Sequence, residues 1–392
     1  MTDSHNPSRD EVAPASIRNR FDRMEWAGAF GDLGTFIPFV VGYLGVMKLD
    51  PFGVLFAFGV AMIVCGFYYK TPFPVQPMKA VGAVAITQAA QTAVITPAAV
   101  YASGLATGII WLVLGLTGAI SYVSKIVSRP VLVGIVLGLG LSFMLEGVRM
   151  MAGNWVVGGA ALAGTMLLLN NRSFPAMFLL LIFGAVTGLI QNPGLLHELG
   201  SATFAPRMPS FALSIPAFHD FVIGTIFLAL PQLPLTLGNA ILVTTEENNR
   251  LFPDRPVSER GVSISTGVLN LFGSAVGGVP MCHGAGGMAG HVRFGAKTGG
   301  ALIILGTLLL CLALFFSNSI MVLLSVFPPA VLGVILFLTG AQLALGSCDF
   351  GKDKVDRFIS LATAGFAMWN VGLAFVVGML CYYLKRRDML KL

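Results

Sequence analysis

The 392-residue chain is 56% hydrophobic and only 11% charged, with a mean hydropathy of +0.83, whereas a typical soluble domain carries roughly 25% charged residues. That balance excludes a soluble globular enzyme and points to an integral membrane protein. The net charge of +6 falls mostly in short loops, where it sets orientation and does not mark a nucleic-acid surface.

Residues 1–25 are polar, carry Arg9, Arg18, Arg20 and Arg23, and lack a small-residue cleavage site, so they read as a cytoplasmic tail. Apolar stretches suited to a roughly 30 Å hydrocarbon core then predict spans near 26–46, 51–69, 77–93, 98–123, 129–147, 154–170 and 174–190. A loop rich in Pro, Ser and Ala, 191–217, leads to seven more near 218–245, 258–276, 282–294, 298–316, 319–345, 356–368 and 370–385, with 386–392 as a short tail. The expected fold is an all-α integral membrane protein of about 14 transmembrane segments; the strict alternation of a β-barrel is missing.

Placing successive loops on alternate sides gathers most of the 24 Lys and Arg on one face and leaves Lys48, Arg149 and Arg207 on the other. Both termini are therefore expected in the cytoplasm, and the protein in the plasma (inner) membrane. Only Lys79 is left within the membrane. The five cysteines, Cys65, Cys282, Cys311, Cys348 and Cys381, show no CxxC spacing and read as packing residues, with no metal or cofactor implied.

The halves echo each other. "PVLVGIVL" from Pro130 matches "PAVLGVIL" from Pro329, and Pro77-Met78 recurs as Pro280-Met281 at nearly the same offset. The unit 26–190 thus repeats as 218–385, and a unit with an odd number of spans must insert its second copy upside down, giving a 7+7 inverted repeat.

The third and tenth spans are short, and each follows a Gly/Pro-rich stretch, "TPFPVQP" or "GSAVGGVP". Proline suits a helix's first turn and not its middle, so each stretch reads as extended chain entering the membrane before a half-helix that starts near the midplane. Inverted repeats face the two N-termini across a cavity, and helix N-termini attract anions. Lys79 adds a full charge there, and the glycines of "HGAGGMAG", His283 to Gly290, allow close backbone approach to a compact ligand. Alternatively, Lys79 pairs with Asp32 and holds two helices together. Asp32, in "GAFGDLGTFIP", is a candidate proton carrier for coupled uptake.

In "LPQLPLTLGNA", Pro231 and Pro234 should break or kink the helix, and Gln232, Thr236 and Asn239 are candidates either to bond an oxyanion or to link helices. His283 is a candidate substrate contact, and His291 serves orientation. Enzyme signatures fail: "HELGS" lacks the second His of HExxH, G-x-S-x-G is missing, and "GHVRFGAKT" has no correctly placed P-loop lysine.

Taken together, "GDLGTFIPF", "PFPVQPMKA", "LPQLPLTLGNA" and "GGVPMCHGAGGMAGHVRFGAKTGG" resemble the molybdate transporter family related to the sulfate permeases, over about residues 26–345. The resemblance implies a core domain that moves against a gate domain, with the site built by the first, third, eighth and tenth helices. It implies substrate contacts at Gln76, Met78, Lys79 and Ala80 on the first half-helix, at Cys282, His283 and Gly284 on the second, and at Thr35 and Asn239. It also suggests a homodimer. Only about seven residues follow Leu384, leaving no STAS domain as in classical sulfate permeases, which fits the molybdate branch. The expected function is secondary active transport of molybdate, with protons as coupling ion; a sulfate or general oxyanion carrier and an anion channel are the alternatives.

Overall fold

The computed structural model describes residues 18–45, 47–87, 94–122, 128–169, 171, 174–201, 204–207, 216–346, 350 and 353–390. Most of the N-terminal tail, Lys125, Arg172, Cys348, the end of the expected third span and much of the 191–217 loop lie outside the described residues.

Capping chemistry in the sequence sets most helix starts. The Asp22 carboxylate accepts from Met24 and Glu25 N–H to open α1, Arg23–Ala29, which continues through a 3-10 turn, Phe30–Asp32, into α2, Leu33–Gly45. Asp50 and Pro51 open α3, Pro51–Tyr69, which ends at Lys70 with φ 54°. A two-residue strand β1, Gln76–Pro77, leads to the short α4, Lys79–Thr87. Thr96 caps α5, Pro97–Thr117. Then come α6, Arg129–Ala152, α7, Trp155–Leu168, α8, Ala176–Gln191, and α9, Gly194–Gly200.

The second half opens with α10, Phe218–Ile223, a π-helical stretch Gly224–Ala229, α11, Leu230–Leu235, a second π stretch Thr236–Val243, and α12, Thr244–Leu251. Ser258 caps α13, Glu259–Ala275. Strand β2, Met281–Cys282, leads to the short α14, Ala285–Arg293. The rest is α15, Gly300–Phe316, a 3-10 turn, α16, Ile320–Ser325, α17, Pro329–Gly346, α18, Lys354–Ala367, and α19, Val371–Arg386.

The most extensive helix contacts pair α6 with α17, α5 with α13, and α3 with α15. Small residues allow this proximity: a Cβ on Gly147 of α6 would lie 2.6 Å from the Gly333 carbonyl oxygen of α17. Five helices among the described residues are long and apolar enough to cross a membrane, or seven if each of two bent pairs is one span.

Three expectations are corrected. The expected span 319–345 is two elements, because Pro328 and Pro329 bring no backbone N–H; α16 prolongs the preceding helix, and a new one starts at Pro329. The expected loop 191–217 contains the helix α9. The fold is also not purely helical, since β1 and β2 pair. Of the break or kink expected at Pro231 and Pro234, the structure has the kink: they sit in a short α turn between two π stretches, and the segments on either side meet at 48°.

Candidate functional site

Strands β1 and β2 pair antiparallel, with Gln76 opposite Cys282 and Pro77 opposite Met281, and Met78 N–H donates to the Pro280 carbonyl at 2.8 Å. The ladder is short because proline leaves each strand few donors. Side chains complete it. Asn270 of α13 donates to the Met281 carbonyl at 2.7 Å and accepts from Met281 N–H at 3.0 Å, while Thr244 donates to the His283 carbonyl at 2.6 Å. Asn270→Ala leaves two buried backbone groups unpaired, so a loss of about 2–4 kcal/mol is expected, seen as an earlier midpoint in thermal unfolding of the detergent-solubilised protein.

The 3-10 turn at the start of the first span places Asp32 beside this crossing. Gln76 Nε2 donates to both Asp32 carboxylate oxygens, at 2.6 and 2.7 Å, and to Thr35 Oγ1 at 2.8 Å; the Thr35 hydroxyl donates in turn to the Asp32 carboxylate. The carboxylate lies at the first turn of α14, where a Cβ on Gly287 would be 3.0 Å from Asp32 Oδ2. Gln76 Oε1 is buried without a partner, and it sits against Gly284, where a Cβ would overlap it.

Lys79 starts α4, and its Nζ is buried with no hydrogen-bond partner. It lies 4.0 Å from the centroid of the Phe143 ring of α6, a favourable placement for a desolvated ammonium, and 3.6 Å from where a Cβ on Gly286 would stand. The Asp32 carboxylate is taken up by Gln76 and Thr35, so the alternative ion pair with Lys79 is not formed. A cavity of about 320 Å3 reaches this group, lined among others by Thr35, Lys79, Ser142, Phe143 and Glu146.

The remaining candidates divide. Gln232 Oε1 accepts from Ala80 N–H at 2.8 Å and Val81 N–H at 3.4 Å, so it caps α4, and its amide donates to Thr236 at 3.0 Å. Gln232 and Thr236 therefore spend their polar groups on helix α4 and on each other. Asn239 is buried with Oδ1 unpartnered, and its Nδ2 is 3.4 Å from a Cβ position on Gly284. Met78 and Cys282 are buried beside the ladder. The His283 side chain turns away: Nδ1 meets the Pro74 carbonyl at 2.7 Å, Nε2 meets Ser265 Oγ at 2.8 Å, and Tyr69 and Phe73 pack edge-on against the ring. His291 Nδ1 is 2.8 Å from the Gly28 carbonyl oxygen.

Three neighbours of the site escaped the sequence reading. Phe143 and Asn270 carry no motif, and neither does Tyr43, whose buried hydroxyl has no partner and lies 3.2 Å from a Cβ position on Gly82 of α4. Among the described residues no three His, Cys, Asp or Glu side chains are grouped to hold a metal. What the crossing gathers is an unpaired ammonium, an unpaired phenol, and two amides with spare capacity, beside the first turn of α14, where Gly287 N–H already bonds the Gly284 carbonyl at 2.9 Å and the first two N–H groups of the helix have no intrahelical partner.

A family model described as a molybdate transporter of the MFS superfamily matches residues 24–143 and 224–343. Molybdate transporter 2 of Arabidopsis thaliana is 34% identical, over 92% of this chain and 86% of its own. Molybdate transporter 1 of Chlamydomonas reinhardtii is 28% identical, over 92% of each chain. Among solved structures, the transmembrane domain of the cyanobacterial bicarbonate transporter BicA superposes with a TM-score of 0.59 at 14% identity, covering 91% of this chain and 96% of that one. The murine Slc26a9 anion transporter in its inward-facing state gives 0.63 at 12% identity, covering 96% of this chain and 70% of that one. The family description carries the MFS name, but the fold is the one seen in BicA and Slc26a9. The chain is a multi-pass membrane protein and belongs to the molybdate transporter family.

Proposed function

We propose that this chain is a proton-coupled secondary transporter that carries molybdate by alternating access, with the dianion held at the crossing of β1 and β2. The observation that carries the reading is the buried, partnerless Lys79 ammonium beside the first turn of α14. A buried ammonium that no hydrogen bond satisfies is costly in a membrane interior even with the Asp32 carboxylate nearby, and a tetrahedral dianion is the ligand that would satisfy it. The relatives named molybdate transporters give the oxyanion its identity. Thr35, Tyr43 and Asn239 would supply neutral donors, and Phe143, lying on Lys79 and against Gly286, is the group the anion displaces.

The architecture behind this reading is fourteen spans in two inverted seven-span units, 26–190 and 218–385, with both termini cytoplasmic. Two features support it. Exchanging the halves carries the α3–α15 contact onto α13–α5 and leaves α6–α17 paired with itself, and these are the most extensive helix contacts. The family model also matches two stretches of equal length, one in each half. The spans that bear Asp32, Lys79, Asn239 and Gly284 form one group, and Phe143 on α6 comes from the other, so rocking between the groups opens or covers Lys79.

The test is uptake of labelled molybdate into proteoliposomes holding the purified protein, with sulfate in excess as competitor. Saturable uptake that sulfate leaves largely intact and that an inward proton gradient accelerates is expected. Equal competition by sulfate would make this a general oxyanion carrier. Currents far above carrier turnover would make it a channel.

A further inference from the structure

We propose that Gln76 is the coupling residue of this transporter: its side-chain amide reads the protonation state of Asp32 and presents either an acceptor or a donor to the anion. The inference rests on the oxyanion-carrier reading and gives it a mechanism.

With Asp32 ionised, the carboxylate is an acceptor only, and it engages the Gln76 NH2 through both oxygens. The amide is rigid and planar, so its oxygen must face the opposite way. There Oε1 is buried without a partner, against Gly284 at the N-terminus of α14. A carbonyl oxygen at that spot is the wrong polarity for a ligand made of acceptor oxygens. The observed arrangement therefore opposes anion binding on one side of Gly284, while Lys79, close to Gly286, favours it on the other.

A proton from the aqueous phase on Asp32 reverses this. The carboxyl then carries an O–H that needs an acceptor: Thr35 Oγ1 is in contact with it, and Gln76 Oε1 comes into reach once the amide turns, which is the arrangement the inference assigns. Rotation of the terminal amide by half a turn satisfies it. The Gln76 NH2 then faces Gly284 and donates to the anion. Proton and anion thus bind cooperatively without touching each other, and by linkage each raises the affinity for the other equally. The other charged or titratable groups that face Asp32 are Lys79 on α4, His291 on α14 and Cys282 on β2. His291 is held through Nδ1 by the Gly28 carbonyl and is not placed to relay the change to Gly284, while the Cys282 thiol meets the Gly284 N–H but has no donor and acceptor pair to exchange by turning. Thr35 can follow either state, because a hydroxyl both donates and accepts.

The test is equilibrium binding of radiolabelled molybdate, at concentrations too low for polymerisation, to purified protein between about pH 8 and pH 6, with sulfate in a parallel series. Sulfate does not take up protons in this range, so a shared trend belongs to the protein. For wild type, affinity should climb as pH falls, by up to about tenfold per unit for one linked proton. Asp32→Asn should bind with the same affinity at every pH. Gln76→Leu, which keeps Asp32 but has no amide to turn, should bind more weakly and lose most of the pH dependence. A Gln76→Leu protein that elutes as wild type and keeps the full pH dependence overturns the inference, as does a pH-independent wild type. Failure of the wild type to bind either anion at any pH defeats the carrier reading instead, so the two failures are distinct.

Discussion

Lys79→Met is expected to lower molybdate uptake by at least about a hundredfold and, in the same protein, to raise thermal stability. The two effects run in opposite directions because the structure gives the lysine no partner to lose. Its Nζ is buried without a hydrogen-bond partner and lies 4.0 Å from the centroid of the Phe143 ring. Methionine matches the length of the stem, packs well against an aromatic ring, and removes from a low-dielectric interior a charge that no hydrogen bond satisfies. An opposed charge inside a protein contributes on the order of 3–5 kcal/mol when it meets its partner, which at 1.4 kcal/mol per decade accounts for the hundredfold loss. A lysine that merely held helices together would behave otherwise: its replacement would cost stability first, and transport through instability. Measuring both quantities on one preparation decides between the roles. A mutant with normal uptake, or one whose loss of uptake is matched by a fall in unfolding temperature, sinks the assignment.

The crossing of β1 and β2 was legible in the sequence because proline, glycine and an intramembrane charge have local consequences. Pro72, Pro74 and Pro77 put three helix-disfavouring residues within six positions, so the extended entry into α4 was readable without any partner, as was the same entry through Gly277, Gly278 and Pro280. Which atoms those segments would use was not readable. Gln232 was readable as either an oxyanion ligand or a link between helices, and its hydrogen bond to α4, across 152 positions of sequence, is of the second kind. His283 looked placed for substrate, but its ring is held by Pro74, 209 positions distant, and by Ser265. Phe143 is one of 29 phenylalanines, and only the packing of α6 against the crossing distinguishes it. The boundary at Pro329 is a different case. Its signal, two successive prolines, was present, and the continuing apolar run on either side hid it.

Gly31→Ala is expected to cost about 3 kcal/mol or more and to prevent recovery of a monodisperse protein, because the first span and α14 meet there backbone to backbone. A Cβ on Gly31 would overlap the Gly290 carbonyl oxygen and stand 2.9 Å from His291 N, and one on Gly290 would overlap the Gly31 carbonyl. Overpacking of about 1–3 kcal/mol is usual when a side chain can give way, and here the obstruction is main chain on both sides. Neither strand of backbone is free to retreat. The His291 ring ties α14 to Gly28 at 2.8 Å, the Gln76 amide ties the Asp32 turn to β1, and the ladder with its Asn270 clamp fixes where α14 begins. A shift of a few tenths of an ångström at Gly31 would be transmitted to the carboxylate one residue on and to the first turn of α14. The matched control is Gly159→Ala in α7, where an added Cβ meets nothing within 4 Å and alanine's better helix propensity contributes up to about 1 kcal/mol in favour. If fluorescence-detected size exclusion shows the two mutants alike, the close approach of span and half-helix is not what holds Asp32 in place.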